Sequence, residues 1–294
     1  MDRLPEPAAL RLGHLDCWRQ DPAGSCQGPP LLLVHGFGGG VWGWANFQRF
    51  FAAAGFRSYA VELPGRGQQE LDSVGWCSLE TYALYLAALL QELGPCVVIG
   101  HSMGGLIAQK LAETQAQPGF VLLASAPPWH MFRRAYAPLW KGLLRHPWRQ
   151  IVRPLTGRPV VLDPRLQDLL VNQRVPAGQR ERIGGFDVPD SGRASMQMMA
   201  GLISVDASRV RSPCLVVAGS DDRLIPLSEQ RRLADKYRSP LLEFDRGHML
   251  IIEEGWEEVA AGVLDWVAAL PGVAEAVPVP VRVGRARSDQ AVAG

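Results

Sequence analysis

The stretch Cys96-Val97-Val98-Ile99-Gly100-His101-Ser102-Met103-Gly104-Gly105-Leu106 decides the fold. A short apolar, β-branched run passes without a break into Gly-X-Ser-X-Gly and then into a segment with the apolar spacing of a helix. With 31 glycines and 15 serines in 294 residues, about 0.16 chance matches to that pattern are expected, so the pattern alone decides little. Its placement decides more. A turn leading straight from strand to helix puts its central residue, here Ser102, in a strained backbone conformation, and small residues two before and two after it let the backbones approach. Gly100, Gly104 and Gly105 meet that need. The helix that follows aims its free N–H groups and positive dipole end at the serine.

Outward from this turn, short apolar runs alternate with longer segments of helical period, the pattern of parallel strands joined by crossover helices. Strands are expected at Leu31 to His35, Ser58 to Val61, Cys96 to Ile99, Phe120 to Ala124, Leu215 to Ala218 and Leu241 to Phe244. Helices are expected at Trp44 to Ala53, Leu79 to Glu92, Leu106 to Glu113, Ser228 to Lys236 and Trp256 to Ala269, and an antiparallel edge hairpin within Leu10 to Arg19. The alternation stops after Ala126, turns irregular and rich in Pro, Arg and Trp from Pro127 to Val205, and resumes at Leu215. The fold class is therefore α/β, a mostly parallel central sheet flanked by helices. Residues 1–126 and 206–270 form the core, 127–205 an inserted helical lid, and 271–294, where Pro and Val alternate, a disordered tail. At 47% hydrophobic residues the chain can bury the core of one such domain.

A serine hydroxyl is a weak nucleophile at neutral pH and needs a base, which in turn needs a group to hold its tautomer and charge. Two later segments offer these at strand ends, Ala218-Gly-Ser-Asp-Asp-Arg-Leu-Ile-Pro226 and Arg246-Gly-His-Met249. Ser102, an aspartate at 221 or 222, and His248 then follow the chain order nucleophile, acid, base. A competing signal is the Gly-X-Gly-X-X-Gly of Gly38, Gly40 and Gly43, with Glu62 ending the next strand, as in a dinucleotide-binding oxidoreductase. His35, Gly36 and Phe37 separate that pattern from its strand, and Trp42 and Trp44 crowd the helix start a pyrophosphate would occupy.

On these residues the chain resembles the α/β-hydrolase superfamily from about Leu10 to Leu270, and within it the esterases and lipases. His35-Gly36-Phe37 after the third strand, Glu62-Leu-Pro-Gly-Arg-Gly67 after the fourth, the Ser102 turn and the two later segments carry the likeness. The resemblance implies a serine hydrolase that cleaves a carboxylic ester of a small molecule through an acyl-enzyme on Ser102, with His248 as base. It implies Asp222, three residues after a glycine and four before a proline, as the acid in preference to Asp221. It also implies an oxyanion hole from the backbone N–H groups of Phe37 and Met103, and no metal or organic cofactor. His35 is expected to hold the oxyanion loop, His101 to pack or hydrogen-bond locally, Glu253 and Glu254 to cap the last helix, and Glu62, where the superfamily more often has Asp, to anchor a loop. Dehalogenases and epoxide hydrolases of the superfamily carry Asp at the turn, which sets their chemistry aside. Several alternatives stay open. One is a thioesterase on carrier- or CoA-bound acyl chains, to whose loop Leu63 to Gly67 with Glu70 is similar. The others are an acyltransferase or perhydrolase with the same three residues and a non-enzymatic ligand receptor.

The net charge of +1 lacks the basic excess of a nucleic-acid binder. Residues 127–205 hold twelve Lys or Arg and five Asp or Glu, net +7, leaving 18 against 24, net −6, elsewhere. Arg133, Arg134, Lys141, Arg145, Arg149 and Arg153 are either the solvated face of lid helices or an attractor for an anionic substrate, an acidic carrier protein or an anionic interface. Trp129, Met196 and Met199 are expected to line an acyl pocket, because Trp buries large area and Met adapts its shape, although core packing explains them almost as well. Cys17, Cys26, Cys77, Cys96 and Cys214 show neither disulfide nor metal spacing, and no apolar run reaches the roughly 18 residues of a membrane span. A cytoplasmic protein with reduced thiols and no stable membrane insertion is the expectation.

Overall fold

The computed structural model describes residues 4–65, 74–128, 148, 152, 155–178, 188–271 and 273. Eight strands, β1 (Ala8–Leu12), β2 (Leu15–Gln20), β3 (Leu31–Val34), β4 (Ser58–Val61), β5 (Val97–His101), β6 (Gly119–Leu123), β7 (Cys214–Gly219) and β8 (Leu241–Phe244), form one sheet in the order β1-β2-β4-β3-β5-β6-β7-β8. β2 runs antiparallel to β1 and β4 on its two sides, and β3 to β8 pair in parallel. Among the described residues, six helices of nine or more residues accompany them: α1 (Ala45–Ala53), α2 (Leu79–Leu93), α3 (Met103–Ala112), α4 (Gly192–Ala200), α5 (Leu227–Tyr237) and α6 (Trp256–Ala268).

The strands are apolar on both faces because the sheet has a core on each side. Leu31, Leu33, Val97, Ile99, Val121, Leu123, Leu215 and Val217 pack with Phe47, Phe51, Val259 and Val263 of α1 and α6. Their neighbours Leu32, Val34, Val98, Leu122 and Val216 pack on the opposite face with Leu86, Leu106, Ile107 and Leu233 of α2, α3 and α5. The two-residue period thus sorts side chains between two cores rather than between core and water, which makes these strands read as unbroken apolar runs. Helix α2 is delimited by its ends: Ser78 Oγ accepts the Thr81 N–H at 3.0 Å, and Gly94 closes it at φ 76°.

The α/β class with a mostly parallel sheet holds, and each expected strand lies within two residues of its expected ends. Two local differences have physical causes. Helix α3 starts at Met103 rather than near Leu106, because the Ser102 carbonyl accepts the N–H groups of Gly105 and Leu106 and so begins the helical turn itself. His35 lies beyond β3, where its ring bonds the following loop instead of joining the ladder.

The chain leaves β3 towards β4 on one side and leaves β5 through α3 towards β6 on the other. Adjacent strands with diverging connections leave a crevice at their carboxyl ends, the usual ligand position in such sheets. Residues 35–40 follow β3 there and Ser102 follows β5. In the segment between β6 and β7, Asp163 Oδ1 accepts the N–H groups of Arg165 and Leu166, opening a short helical stretch, and Val160 pairs with Asp190 just before α4. Arg133, Arg134, Lys141, Arg145, Arg149 and Arg153 lie outside the described residues, as does the tail after 273. Among the described residues no helix is long and apolar enough to cross a membrane.

Candidate active site

Ser102 adopts φ 53° and ψ −115°, a region that costs a non-glycine residue about 1–3 kcal/mol and persists only when its surroundings hold it. They do: its N–H donates to the Leu123 carbonyl at 3.0 Å, and its own carbonyl accepts from Ala126 and Gly105, each at 3.0 Å. The close approach explains the glycines, since a Cβ on Gly100 would strike the Gly104 carbonyl and one on Gly104 the Val34 carbonyl.

The turns after β7 and β8 bring two more side chains to this point. His248 Nε2 lies 3.0 Å from Ser102 Oγ, and His248 Nδ1 lies 2.8 Å from Asp222 Oδ2, with all three residues buried. The other Asp222 oxygen accepts the N–H groups of Leu224 and Ile225 at 2.8 Å each, which fixes the carboxylate in its turn. Asp221 turns away: its side chain is 47% exposed and faces Gln173 and Arg174. The backbone around His248 is itself held. His101 Nε2 donates to the His248 carbonyl at 2.9 Å, a partner 147 positions away rather than a local one. Burial, and secondarily the neighbouring His248, push the His101 imidazole down to about 3, so it is neutral. Glu253 does not cap α6; its carboxylate accepts the N–H groups of Gly247 at 2.6 Å and Met249 at 3.0 Å, one on each side of His248. Burial pushes the Glu253 carboxyl up, against the lowering by those two bonds. Glu254 is exposed, and the helix starts after Gly255 with no side-chain cap.

The loop after β3 is fixed at several atoms. His35 Nδ1 donates to the Gly36 carbonyl at 2.8 Å while its Nε2 accepts the Leu63 N–H at 3.1 Å, which defines the neutral tautomer. Gly39 N–H donates to Gly36 O, Val41 N–H to Glu62 Oε1 and Gly38 N–H to Asp190 Oδ2. The N–H groups of Phe37 and Met103 have no acceptor among the described residues. Above Ser102 and His248 lies a cavity walled by Leu162, Val171, Met198, Met199, Leu224 and Ile251. On α4, Ser195, Met198 and Met199 share the face that lines the cavity, and Met196, 100° further round, packs half-buried against the core. Trp129 lies outside the described residues. Met198 belongs to the Met196-Gln-Met-Met199 run that the sequence offers for an acyl pocket; Leu162 and Val171 as cavity walls, and Asp190 and Glu253 as loop holders, were missed, and no local pattern marks them. Among the described residues no group of three or more His, Cys, Asp or Glu is arranged to hold a metal ion.

Several known proteins are similar to this chain in sequence or fold. The chain is 28% identical over 274 residues to the magnesium-chelatase 30 kDa subunit of Rhodobacter capsulatus, spanning 88% of this chain and 94% of that one. It is 38% identical over 105 residues to a pimeloyl-[acyl-carrier protein] methyl ester esterase of Aeromonas salmonicida, spanning 34% of this chain and 39% of that one. Its fold is similar to that of the esterase EaEST from Exiguobacterium antarcticum, with a TM-score of 0.68 and 17% identity over 90% of this chain and 100% of that one. The sequence model of the Alpha/beta hydrolase family matches residues 31–262. Covering most of the chain and every strand from β3 to β8, that match makes the protein a member of the alpha/beta hydrolase family.

Proposed function

We propose that the protein is a serine hydrolase that cleaves a carboxylic ester through an acyl-enzyme on Ser102. One observation carries the reading: a hydroxyl on a strained turn stands 3.0 Å from an imidazole whose other nitrogen is 2.8 Å from a buried carboxylate. As Ser102 Oγ bonds to the ester carbonyl carbon, His248 Nε2 takes its proton, while Asp222 holds the Nδ1–H tautomer and stabilises the imidazolium. The imidazolium then gives that proton to the departing alkoxide, which leaves as the alcohol. Water, losing a proton to the same nitrogen, attacks the acyl-enzyme; the carboxylic acid departs and the proton returns to Oγ. The N–H groups of Phe37 and Met103 receive the oxyanion in both steps. Support for Phe37 comes from its loop, where the Gly38 and Gly39 N–H groups are already engaged, and support for Met103 from its place at the amino terminus of α3. The apolar cavity wall favours an apolar acyl group.

Turnover of a panel of nitrophenyl esters and acyl-CoA thioesters tests the reading, with esters expected to be cleaved and a preference for thioesters pointing instead to a thioesterase. Ser102→Ala is expected to lose roughly ten-thousandfold or more in turnover. A fluorophosphonate should label Ser102 in the wild type; labelling elsewhere in an active protein would overturn the assignment. A second reading places the scissile ester on an acyl chain borne by an acidic carrier protein. It is favoured by the +7 charge of residues 127–205 and by the partial match to an esterase whose name specifies a carrier-bound substrate.

A further inference from the structure

Asp190 is completely buried and belongs to the segment between β6 and β7, yet it reaches a loop 152 residues away. Its Oδ2 accepts the Gly38 N–H at 2.9 Å, and its Oδ1 accepts the Tyr82 hydroxyl at 3.1 Å and the Ser191 N–H at 2.7 Å. Its backbone is pinned as well, by paired bonds with Val160 at 2.8 and 2.9 Å. The next residues are tied to the chain leading into α2, with Ser191 Oγ donating to the Cys77 carbonyl and Arg193 N–H to the Gly75 carbonyl.

Peptide planarity turns these contacts into an orientation for Phe37. The Gly36 carbonyl and the Phe37 N–H share one rigid plane and point opposite ways. That carbonyl is held by His35 Nδ1 and the Gly39 N–H, which directs the Phe37 N–H away from both. The following plane, Phe37 carbonyl to Gly38 N–H, is held by Asp190, so Phe37 is clamped on both sides. A carboxylate is the strongest side-chain acceptor for an N–H group. The loop so clamped sits against the nucleophile, because a Cβ on Gly36 would lie 2.9 Å from Ser102 Cβ.

We propose that Asp190 is a positioning residue for the oxyanion hole: its carboxylate, carried in by the inserted segment, holds the Phe37–Gly38 peptide so that the Phe37 N–H serves the acyl carbon at Ser102. The inference rests on the serine hydrolase reading and gives the inserted segment a part in the chemistry beyond covering the cavity. The hole is complete only while Asp190 keeps its bond to the Gly38 N–H.

The test measures kcat and KM per active site, with sites counted by fluorophosphonate titration, for wild type, Asp190→Ala, Asp190→Asn and Tyr82→Phe. Losing one oxyanion donor costs about a hundred- to a thousandfold, so loosening one should lower kcat roughly ten- to a hundredfold in Asp190→Ala. KM should stay within about threefold. Affinity for an alkyl boronic acid, a mimic of the tetrahedral intermediate, should fall in parallel with kcat. Asp190→Asn, which keeps one acceptor oxygen, should recover part of the loss. Tyr82→Phe, which leaves the Gly38 bond in place, should lower kcat by less than Asp190→Ala and serves if that variant does not fold. An Asp190→Ala protein whose kcat per titrated site is unchanged, or whose boronate affinity holds while only the melting temperature drops, overturns the proposal and leaves the hydrolase reading intact. If Asp190→Ala cannot be folded, unchanged kcat and boronate affinity in Tyr82→Phe and Asp190→Asn overturn it equally. A wild type that neither cleaves esters nor labels at Ser102 removes both.

Discussion

At His248 both ring nitrogens and the carbonyl face named partners: Nε2 faces Ser102, Nδ1 faces Asp222, and the carbonyl accepts from His101. Replacing Asp222 with Asn presents an amide that can donate to Nδ1 and so favours the wrong tautomer. The expected loss in kcat/KM is about a thousandfold or more, against a change of only a few-fold for Asp221→Asn at its exposed ion pair. Equal losses in steady-state assays of the two variants would unseat Asp222. His101 leaves a signature in stability. Its pKa is about 3 in the folded chain and about 6.5 when unfolded, so between these values the unfolded state binds the extra proton. Its contribution is complete above pH 6.5 and is lost as pH falls towards 3, at up to about 1.4 kcal/mol per pH unit. Urea unfolding from pH 4 to 7 should show that slope in the wild type and a flatter one in His101→Gln. An identical slope in both would assign the acid sensitivity to other groups.

Between β8 and α6, the chain from Gly247 to Glu253 folds back so that one carboxylate bonds the N–H groups on both sides of His248. Glu253→Gln puts an amide NH2 against one of those N–H groups. The turn should loosen, lowering kcat/KM roughly tenfold, with the melting temperature falling in a thermal scan. A variant with wild-type kinetics would mean that His101 alone holds the His248 backbone. Elements of this kind separate what a sequence displays from what it hides. Strands β3 to β8 and their helices are legible because apolar runs and helical spacing are local patterns; Ser102, His248 and the pair Asp221-Asp222 stand out because each sits in a short segment at a strand end, while the choice of Asp222 within that pair comes only from the family resemblance. The partners of His101 and Asp190 are chosen by tertiary approach, and nothing in their neighbours in sequence names an acceptor or donor 147 or 152 positions away; Glu253 turns back on Gly247 and Met249, four to six positions away, through a fold of the chain that no residue pattern marks. Met196 and Met198 differ for a smaller reason: within a Met-Gln-Met-Met run, only the rotation of α4 decides which side chains meet the cavity.

Across the whole molecule, charge is divided between a segment of net +7 and a remainder of net −6. If the basic segment steers a carrier or another anionic acyl donor, kcat/KM for such donors should fall steeply with added salt, since exposed charges are screened beyond about 8 Å at physiological ionic strength. Neutral short-chain esters receive no steering and should hold within about twofold. Replacing Arg133, Arg134 and Arg145 with Gln should lower kcat/KM for anionic donors in the same selective way. Equal effects on both substrate classes, read from initial rates across a salt series, would reduce these arginines to a solvated surface.

The distance along the chain between Ser102 and His248, 146 residues, also has a meaning in time. A ribosome adding about 5–20 residues per second needs roughly 7 to 30 s to travel from one to the other. Throughout that interval the growing polypeptide holds its nucleophile without an imidazole to take the proton, and the Asp222 carboxylate also arrives before the base it serves. On the proposed mechanism the chemistry waits for residue 248, and a nascent chain that stops short of it lacks the base for ester cleavage.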